Sequence, residues 1–96
     1  MSGQIGEIEK LESSDITEQT KQTLAKIDGL LNQAGIGRDR ILEARIWLKY
    51  IDTDFKAMNE VWNAWVDQNN KGTRYCVGAG LARPTILVEI QVTAAL

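Results

Sequence analysis

Three residues near the C-terminal end of the chain carry groups that could act together on a small ligand: Arg74, Cys76 and Glu89. The alternation of apolar and polar residues predicts two strands here, over residues 73–80 and 86–93. Side chains alternate between the two faces along a strand. The apolar faces of the two strands are then Tyr75, Val77, Ala79 and Leu81 on the first and Ile86, Val88, Ile90 and Val92 on the second. If both apolar faces belong to the core, the guanidinium, the thiol and the carboxylate lie together on the opposite face of the sheet.

The absence of histidine from the sequence narrows the chemistry that these groups could perform. It removes the commonest general base, the commonest metal ligand, and every arrangement in which a histidine activates a serine or a cysteine. A metal site would need carboxylates alone, and the Asp and Glu residues show no cluster with ligand spacing. We therefore expect no metal. The glycines at 78 and 80 open no predicted helix, so they are not a dinucleotide-binding fingerprint.

Length, charge and cysteine content describe a small protein of ordinary globular composition. A chain of 96 residues predicts a single domain over residues 1–96 with a modest core, which makes oligomerisation a reasonable expectation. The net charge is −2 and no basic run is present, which argues against a nucleic-acid surface. One cysteine excludes an intrachain disulfide and fits a reducing compartment. The N-terminus has no apolar run, so we expect neither a signal peptide nor a membrane span, and the expected location is the cytoplasm.

The first third of the chain reads as the end of a strand followed by a helix. Residues 2–5 could close a strand, and residues 6–13 read as a polar loop. Ser14 or Asp15 is a predicted N-cap, and apolar residues then recur at spacings of three and four. Gly35 is placed as the residue that ends this helix with a positive φ.

The middle of the chain reads as a strand followed by a second helix. Apolar and charged residues alternate over residues 40–50. Asp52 or Thr53 is predicted to cap a helix that continues to about residue 67. The predicted buried stripe of this helix is Phe55, Met58, Trp62, Trp65 and Val66. Two helices can cover only one face of the sheet, so the predicted fold class is α+β with both helices on that face.

Two residues in this region leave alternatives open. Trp47 lies between Arg45 and Lys49 on the charged side of its strand, where it could pack beneath their side chains or contact another subunit. Asn59 lies among the apolar residues of the second helix, where its amide needs partners, either a neighbouring loop backbone or a ligand. The predicted uncovered face of the sheet is half polar and partly apolar, which fits a subunit interface better than bare solvent. That face would carry Glu43, Arg45, Trp47, Arg74, Cys76, Leu87 and Glu89.

Several segments together resemble the Rid family, the reactive intermediate deaminases that are also called YjgF-like. The resemblance lies in I-L-E-A-R-I-W-L at 41–48, D-F-K-A-M-N at 54–59, T-R-Y-C-V at 73–77 and V-E-I at 88–90. W-N-A-W-V at 62–66 and A-G-L at 79–81 are similar to the YoaB-like subgroup, and S-G-Q-I at 2–5 and E-Q-T at 18–20 fit the family pattern as well. The resemblance covers nearly the whole chain.

The resemblance implies a chorismate-mutase-like α+β fold, assembled as a homotrimer with ligand clefts between subunits. Members with deaminase activity hydrolyse enamines and imines such as 2-aminoacrylate to 2-keto acids and ammonia, without a metal or an organic cofactor. In that pattern Arg74 grips the substrate carboxylate, which suits a planar guanidinium. Glu89 matches a carboxylate that could position the attacking water, Cys76 matches a pocket cysteine, and Ser2 and Gly3 match backbone that lines the pocket.

The sequence departs from the family pattern at its N-terminal end. Members usually begin some twenty to thirty residues earlier, with two strands and a Gly-Pro-Tyr segment whose tyrosine lines the site. Without those strands one edge of the sheet would be bare, which natural proteins rarely leave uncovered. Either another subunit covers that edge or the assembly differs from the family trimer.

Three function classes follow from these observations. The first is a Rid-type deaminase in which Arg74 and Glu89 are catalytic and Arg74, Cys76, Ser2, Gly3 and Asn59 bind the ligand. The second is a non-catalytic module of the same fold that binds a small carboxylate. A purely structural role also stays open for two of these residues: Arg74 could be an ion-pair partner of Glu89 or Glu43 at a subunit contact, and Cys76 a small buried apolar residue. RNA cleavage, proposed for some family members, is disfavoured by the missing histidine and the acidic balance.

Overall fold

The computed structural model describes residues 2–96 as a three-stranded mixed sheet with two long helices on one face. The strands are β1 (Ile41–Leu48), β2 (Thr73–Gly78) and β3 (Val88–Ala94), and the helices are α1 (Ile16–Gln33) and α2 (Ile51–Trp65). The sheet order is β2-β1-β3, with β2 parallel and β3 antiparallel to β1. Because parallel neighbours need a crossover connection, α2 serves as the crossover between β1 and β2. The predicted α+β class is confirmed. Neither long helix in this part of the chain is sufficiently long and apolar to cross a membrane.

Helix α1 begins and ends as its local residue types predict. Asp15 is the N-cap, and its side chain accepts a hydrogen bond from the backbone N–H of Glu18 at 2.9 Å. That bond satisfies one of the amides that every helix start leaves unpaired. Gly35 follows the helix with a φ of 75°, a left-handed conformation in which a Cβ would be strained.

Helix α2 begins slightly earlier than predicted and ends at Trp65. Its N-cap is Tyr50, whose side chain makes no capping bond, rather than Asp52 or Thr53. The aspartates at 52 and 54 instead lie in the first turn, where carboxylates interact favourably with the positive end of the helix dipole. The helix ends because Val66 adopts an extended backbone, with φ −66° and ψ 146°.

The core lies between the helices and one face of the sheet. The central strand contributes Ala44, Ile46 and Leu48, and β3 contributes Val88, Ile90 and Val92, all at most 1% exposed. The helices cover them with Leu24, Ile27 and Leu31 from α1 and with Met58, Trp62 and Trp65 from α2. The apolar face predicted for the last strand is therefore confirmed.

The faces predicted for strand β2 are wrong. Arg74 is paired with Ala44 and Cys76 with Ile46, and residues paired across neighbouring strands point to the same face of a sheet. Since those β1 residues are buried beneath the helices, Arg74 and Cys76 lie on the helix side. Tyr75 and Val77 lie on the uncovered face and are 56% and 50% exposed. The strand also ends at Gly78, two residues earlier than predicted.

The N-terminal residues are attached to the sheet and to α1. Gln4 forms an antiparallel bridge with Ile90, through hydrogen bonds of 2.7 and 2.9 Å, beside the edge of β3. This agrees with the expectation that residues 2–5 close a strand. The segment expected to be a polar loop contains a 3-10 turn at Ile8–Ser13, and a second such turn, Arg38–Arg40, precedes β1. Leu11 of the first turn is buried.

Candidate functional site

The guanidinium of Arg74 is held in a cradle formed by one face of α2. Its Nη1 donates a hydrogen bond of 2.6 Å to Oδ1 of Asn59. Its central carbon lies 5.9 Å from the ring centroids of both Phe55 and Trp62, within the range of a cation–π contact. Phe55, Asn59 and Trp62 are spaced by four and three residues, so they project from the same side of the helix. An amide and two aromatic rings therefore surround one strand arginine.

Much of the hydrogen-bonding capacity of Arg74 is unused within the chain. A guanidinium has five N–H donors, and Asn59 is the one side-chain acceptor that Arg74 contacts among residues 2–96. Glu43, considered as an ion-pair partner, instead accepts a bond of 2.8 Å from Arg45. The Nε and Nη2 groups of Arg74 are thus available for an acceptor from outside this part of the chain.

The carbonyl oxygen of Asn59 has a partner within the chain that the sequence interpretation did not name. Its carbonyl oxygen accepts from Arg74, not from a loop backbone. The amide is neutral, so it orients the guanidinium without cancelling its positive charge. Asn59 is thereby placed beside the predicted ligand anchor.

Cys76 lies next to Arg74 on the helix side of β2 and is half-buried. Burial raises the pKa of its thiol, and the nearby positive charge of Arg74 lowers it less strongly, so that the pKa lies above its ordinary value. The thiol is therefore protonated near neutral pH, which suits a wall of the site and not a nucleophile. Its contact with the core cluster also fits the reading of Cys76 as a small buried apolar residue.

Glu89 does not share a face with Arg74, and that prediction is wrong. Glu89 is paired with Trp47 and alternates with the buried residues Val88 and Ile90, which places it on the uncovered face. Arg74 lies on the helix face of β2, two strand spacings away, or about 10 Å between the strand axes. Because the sheet itself separates the two groups, a single protomer cannot present both to one small ligand.

Ser2 and Gly3 lie near Glu89 and not near Arg74. A Cβ built on Gly3 would collide with Oε2 of Glu89 and lie 3.0 Å from its Cδ. A larger residue at position 3 would therefore require the Glu89 side chain to move aside. Ser2 is exposed, and its carbonyl oxygen accepts a bond of 3.1 Å from the Gln4 side chain. The candidate residues thus form two groups, one around Arg74 and one around Glu89.

A groove of about 330 Å³ runs along the uncovered face of the sheet. It is lined by Glu43, Arg45, Ile46, Trp47, Tyr75 and Val77. Trp47 is half-buried in this groove beside the exposed side chains of β2. The groove is separate from the Arg74 cradle, since the sheet lies between them.

The sequence interpretation did not assign Phe55 to the site. It was predicted to be part of the buried stripe of α2, yet it is 38% exposed. The signal that could have identified it is the polar residue Asn59 within the same stripe, because a stripe that contains an amide faces something other than core. Elsewhere in residues 2–96 no group of three or more Cys, Asp or Glu side chains is arranged to hold a metal ion.

Comparison with protein families and known relatives identifies the chain at the family level. The family model described as endoribonuclease L-PSP matches residues 1–96. The RutC family protein YoaB of Escherichia coli K12 is 43% identical over 83 residues, which are 86% of this chain and 72% of that protein. A RutC family protein of Haemophilus ducreyi is 38% identical over 91 residues, or 95% of this chain and 77% of its own length.

Solved structures give the same result for the fold. A member of the YjgF protein family from Neisseria meningitidis is 39% identical, with a TM-score of 0.89 over 98% of this chain and 75% of its own. A member of the YjgF/YER057c/UK114 family from Mycobacterium tuberculosis is 27% identical, with a TM-score of 0.85 over 100% of this chain and 76% of its own. The chain therefore belongs to the endoribonuclease L-PSP family, which is also called the YjgF or Rid family.

Proposed function

We propose that this protein hydrolyses small enamines or imines derived from amino acids, giving 2-keto acids and ammonia, with Arg74 as the anchor for the substrate carboxylate. The observation that carries the proposal is the partly unused guanidinium of Arg74, oriented by the neutral amide of Asn59. A carboxylate can engage Nε and Nη2 of such a group through two parallel hydrogen bonds. Membership of the Rid family supports the choice of reaction.

The proposed site is completed by a second copy of the chain. Arg74 and Glu89 lie on opposite faces of the sheet, so the carboxylate near a bound substrate must come from elsewhere. In a cyclic oligomer with head-to-tail contacts, the helix face of one protomer at β2 can meet the uncovered face of the next. Glu89 of that next protomer, together with Gly3 and Ser2, would then face Arg74 across a cleft between subunits.

The proposed reaction needs water and no redox step. An enamine first takes a proton at its terminal carbon and becomes the iminium ion. The oxygen of water then bonds to the iminium carbon while Glu89 orients that water and accepts one of its protons. Glu89 passes that proton to the nitrogen, the carbon–nitrogen bond breaks, and ammonia leaves as the hydroxyl group loses its proton to solvent and the carbonyl forms. Arg74 holds the carboxylate throughout, so that the reacting carbon stays in place.

The direct test is release of ammonia and keto acid from enzymatically generated 2-aminoacrylate. Arg74→Ala should reduce the rate to that of the buffer blank. Arg74→Lys should retain charge but lose the planar fork, with a loss of about 1.5–3 kcal/mol, or ten- to a hundredfold, in apparent affinity. Arg83→Ala is the matched control, because Arg83 is an exposed arginine outside both groups of residues. Wild-type activity equal to the blank would contradict the deaminase assignment.

A mixing experiment tests the shared site. Arg74→Ala and Glu89→Gln proteins should each be inactive alone, whereas co-assembled oligomers should recover activity. Each cleft pairs Arg74 of one copy with Glu89 of the next, so about one cleft in four is intact after equal and random mixing. No recovery in oligomers shown to contain both variants would contradict a shared site.

A non-catalytic module that binds a small carboxylate is the second candidate. The separation of Arg74 from Glu89 favours it, because each protomer then has an anion anchor without an adjacent carboxylate. Binding of 2-ketobutyrate by wild type and not by Arg74→Ala, together with no ammonia release by either, would establish this alternative.

A further inference from the structure

Phe55 is placed unlike the other large apolar residues of α2. Met58, Trp62 and Trp65 are between 0% and 9% exposed, whereas Phe55 is 38% exposed. Its ring centroid lies 5.9 Å from the central carbon of the Arg74 guanidinium. The guanidinium beside this exposed ring still has N–H donors without an acceptor in residues 2–96. Together the two groups form a surface that is apolar on one side and cationic on the other.

We propose that Phe55 is a specificity-determining residue of the Arg74 site: its ring is the apolar wall against which the side chain of a bound carboxylate packs. Affinity would then rise with the length of the apolar chain that the ligand carries. The inference rests on the proposed function, because Arg74 must first bind the carboxylate.

Of the two aromatic rings beside Arg74, Phe55 is the one that a ligand can reach. Trp62 lies at the same distance from Arg74 but is 3% exposed, so it has almost no free surface to offer. Asn59 occupies Nη1, which leaves the Nε and Nη2 edge for the carboxylate. A carboxylate carbon bound bidentately lies about 4 Å from the guanidinium carbon. Atoms two or three bonds further along the ligand can then come within about 4 Å of the Phe55 ring, the usual apolar contact distance.

The charges close to Phe55 in α2 disfavour a second negative group on the ligand. Asp52 and Asp54 lie in the first turn of the helix, within one turn of Phe55. Both are within a Debye length, about 10 Å at 0.1 M salt, of the ring. A dicarboxylate would therefore meet repulsion where a monocarboxylate with an apolar chain gains contact.

The experiment measures the affinities of pyruvate, 2-ketobutyrate and 2-ketovalerate for the wild-type oligomer and for Phe55→Ala. Burial of each added methylene should improve the wild-type dissociation constant by about fourfold. The Phe55→Ala protein should lose the dependence on chain length, so that its dissociation constants for the three acids are nearly equal. Phe55→Leu should restore part of it, and it also serves as the test if the alanine variant does not fold. Ile8→Ala is the matched control, since Ile8 is an exposed apolar residue outside the cradle.

The outcomes separate this inference from the proposed function. If each added methylene improves the affinity of Phe55→Ala as much as that of wild type, the role of Phe55 is overturned while Arg74 remains the anchor. If the alanine variant does not fold, the same comparison is made between wild type and Phe55→Leu. Equal affinities of wild type for the three acids would overturn the role of Phe55 as well. If wild type binds none of the three acids, the carboxylate site itself is wrong, and the role of Phe55 is overturned together with it.

Discussion

A guanidinium that binds an anion must be held in position without losing its charge, and Asn59 satisfies both conditions. It accepts one hydrogen bond of 2.6 Å from Arg74 and carries no charge of its own. A carboxylate at this position would hold the arginine at least as firmly, but it would compete for the N–H groups that a ligand needs. If Arg74 binds an anion as proposed, a neutral amide here leaves more of its donors available than a carboxylate would, and the effect of replacing the amide on binding can be measured separately from its effect on stability.

Asn59→Asp should therefore weaken ligand binding while leaving the fold intact. The new carboxylate can pair with Arg74 and take up its unused donors, so we expect the affinity for 2-ketobutyrate to fall by about tenfold or more, the cost of one charge-assisted hydrogen bond. Calorimetric titration measures the affinity, and urea unfolding should show no loss of stability. Asn63→Asp, one turn further along α2 and exposed, is the control for the added charge. Unchanged affinity in Asn59→Asp would mean that ligands do not use the Arg74 fork.

At the scale of elements, one buried amide joins α1 to the turn that precedes it and to the distant segment before β3. Gln19 in the first turn of α1 is 0% exposed, and its Nε2 lies within hydrogen-bonding distance of the carbonyl oxygens of Leu11, Ser14 and Thr85. Its Oε1 accepts from the backbone N–H of Leu87 at 2.9 Å. Leu87 immediately precedes β3, so this bond helps to set where β3 begins and hence where Glu89 lies.

Gln19→Leu should destabilise the protein by about 3 kcal/mol. The substitution keeps the volume but leaves buried carbonyl and amide groups without partners, each of which costs about 1–3 kcal/mol. Urea melts measure the loss. Gln33→Leu is the matched control at the exposed end of the same helix, and we expect it to change stability by less than about 0.5 kcal/mol. A loss below about 1 kcal/mol for Gln19→Leu would show that water replaces the amide.

A second cluster joins both helices to the turn before β1. The guanidinium of Arg38 donates two hydrogen bonds to the Asp28 carboxylate, at 2.8 and 2.7 Å, and Trp65 Nε1 donates a third at 3.0 Å. Arg38 also lies over the Trp65 ring at 4.8 Å. Burial acts to raise the pKa of Asp28, but the hydrogen bonds from Arg38 and Trp65 and the charge of Arg38 hold it below its ordinary value of 3.8.

This cluster should contribute stability that depends on pH. Because the folded-state pKa of Asp28 is lowered, its contribution is present above the unfolded pKa and is lost as the pH falls through the folded value. Asp28→Asn should cost about 1 kcal/mol at pH 7, a modest amount because the ion pair is partly exposed to solvent. The difference between wild type and variant should shrink as the pH falls through the folded-state pKa of Asp28, which lies below 3.8. Urea melts at a series of pH values test this, and a difference that stays constant with pH would contradict the role of the charge.

At the scale of the whole molecule, the sequence predicts the elements better than it predicts their faces. The caps and stripes of α1 and α2 are local signals, and the structure agrees with them to within a few residues, except that Phe55 of the α2 stripe is exposed. Which residues of β2 face the helices depends instead on the register of β2 with β1. Arg74 and Tyr75 are both acceptable on either face of an edge strand, so the sequence alone does not decide between them. Two aromatic rings of α2 lie beside the guanidinium of Arg74, which favours the helix side for it. That tertiary contact has no local signal, so the predicted meeting of Arg74 with Glu89 on one face was wrong.

The prediction that the protein forms an oligomer depends on the uncovered face of the sheet. Tyr75 and Val77 lie exposed beside Trp47 along a groove of about 330 Å³, and β2 is an edge strand of the described sheet. Apolar side chains next to an open sheet edge are usually covered by another chain. We therefore expect a homo-oligomer, with a trimer as the expected state, in which this face is buried against a second copy.

Val77→Lys should convert the oligomer to monomers, because a buried ammonium without a partner is costly in a subunit interface. Sedimentation equilibrium measures the state, and Asn63→Lys, an exposed position on α2, is the control for added positive charge. The monomeric variant should also lose ligand turnover although Arg74 and Glu89 are unchanged, since each proposed site takes Arg74 from one copy and Glu89 from another. A wild type that is monomeric at tens of micromolar would contradict the assembly. A monomeric Val77→Lys protein with full activity would instead show that one chain is sufficient for the site.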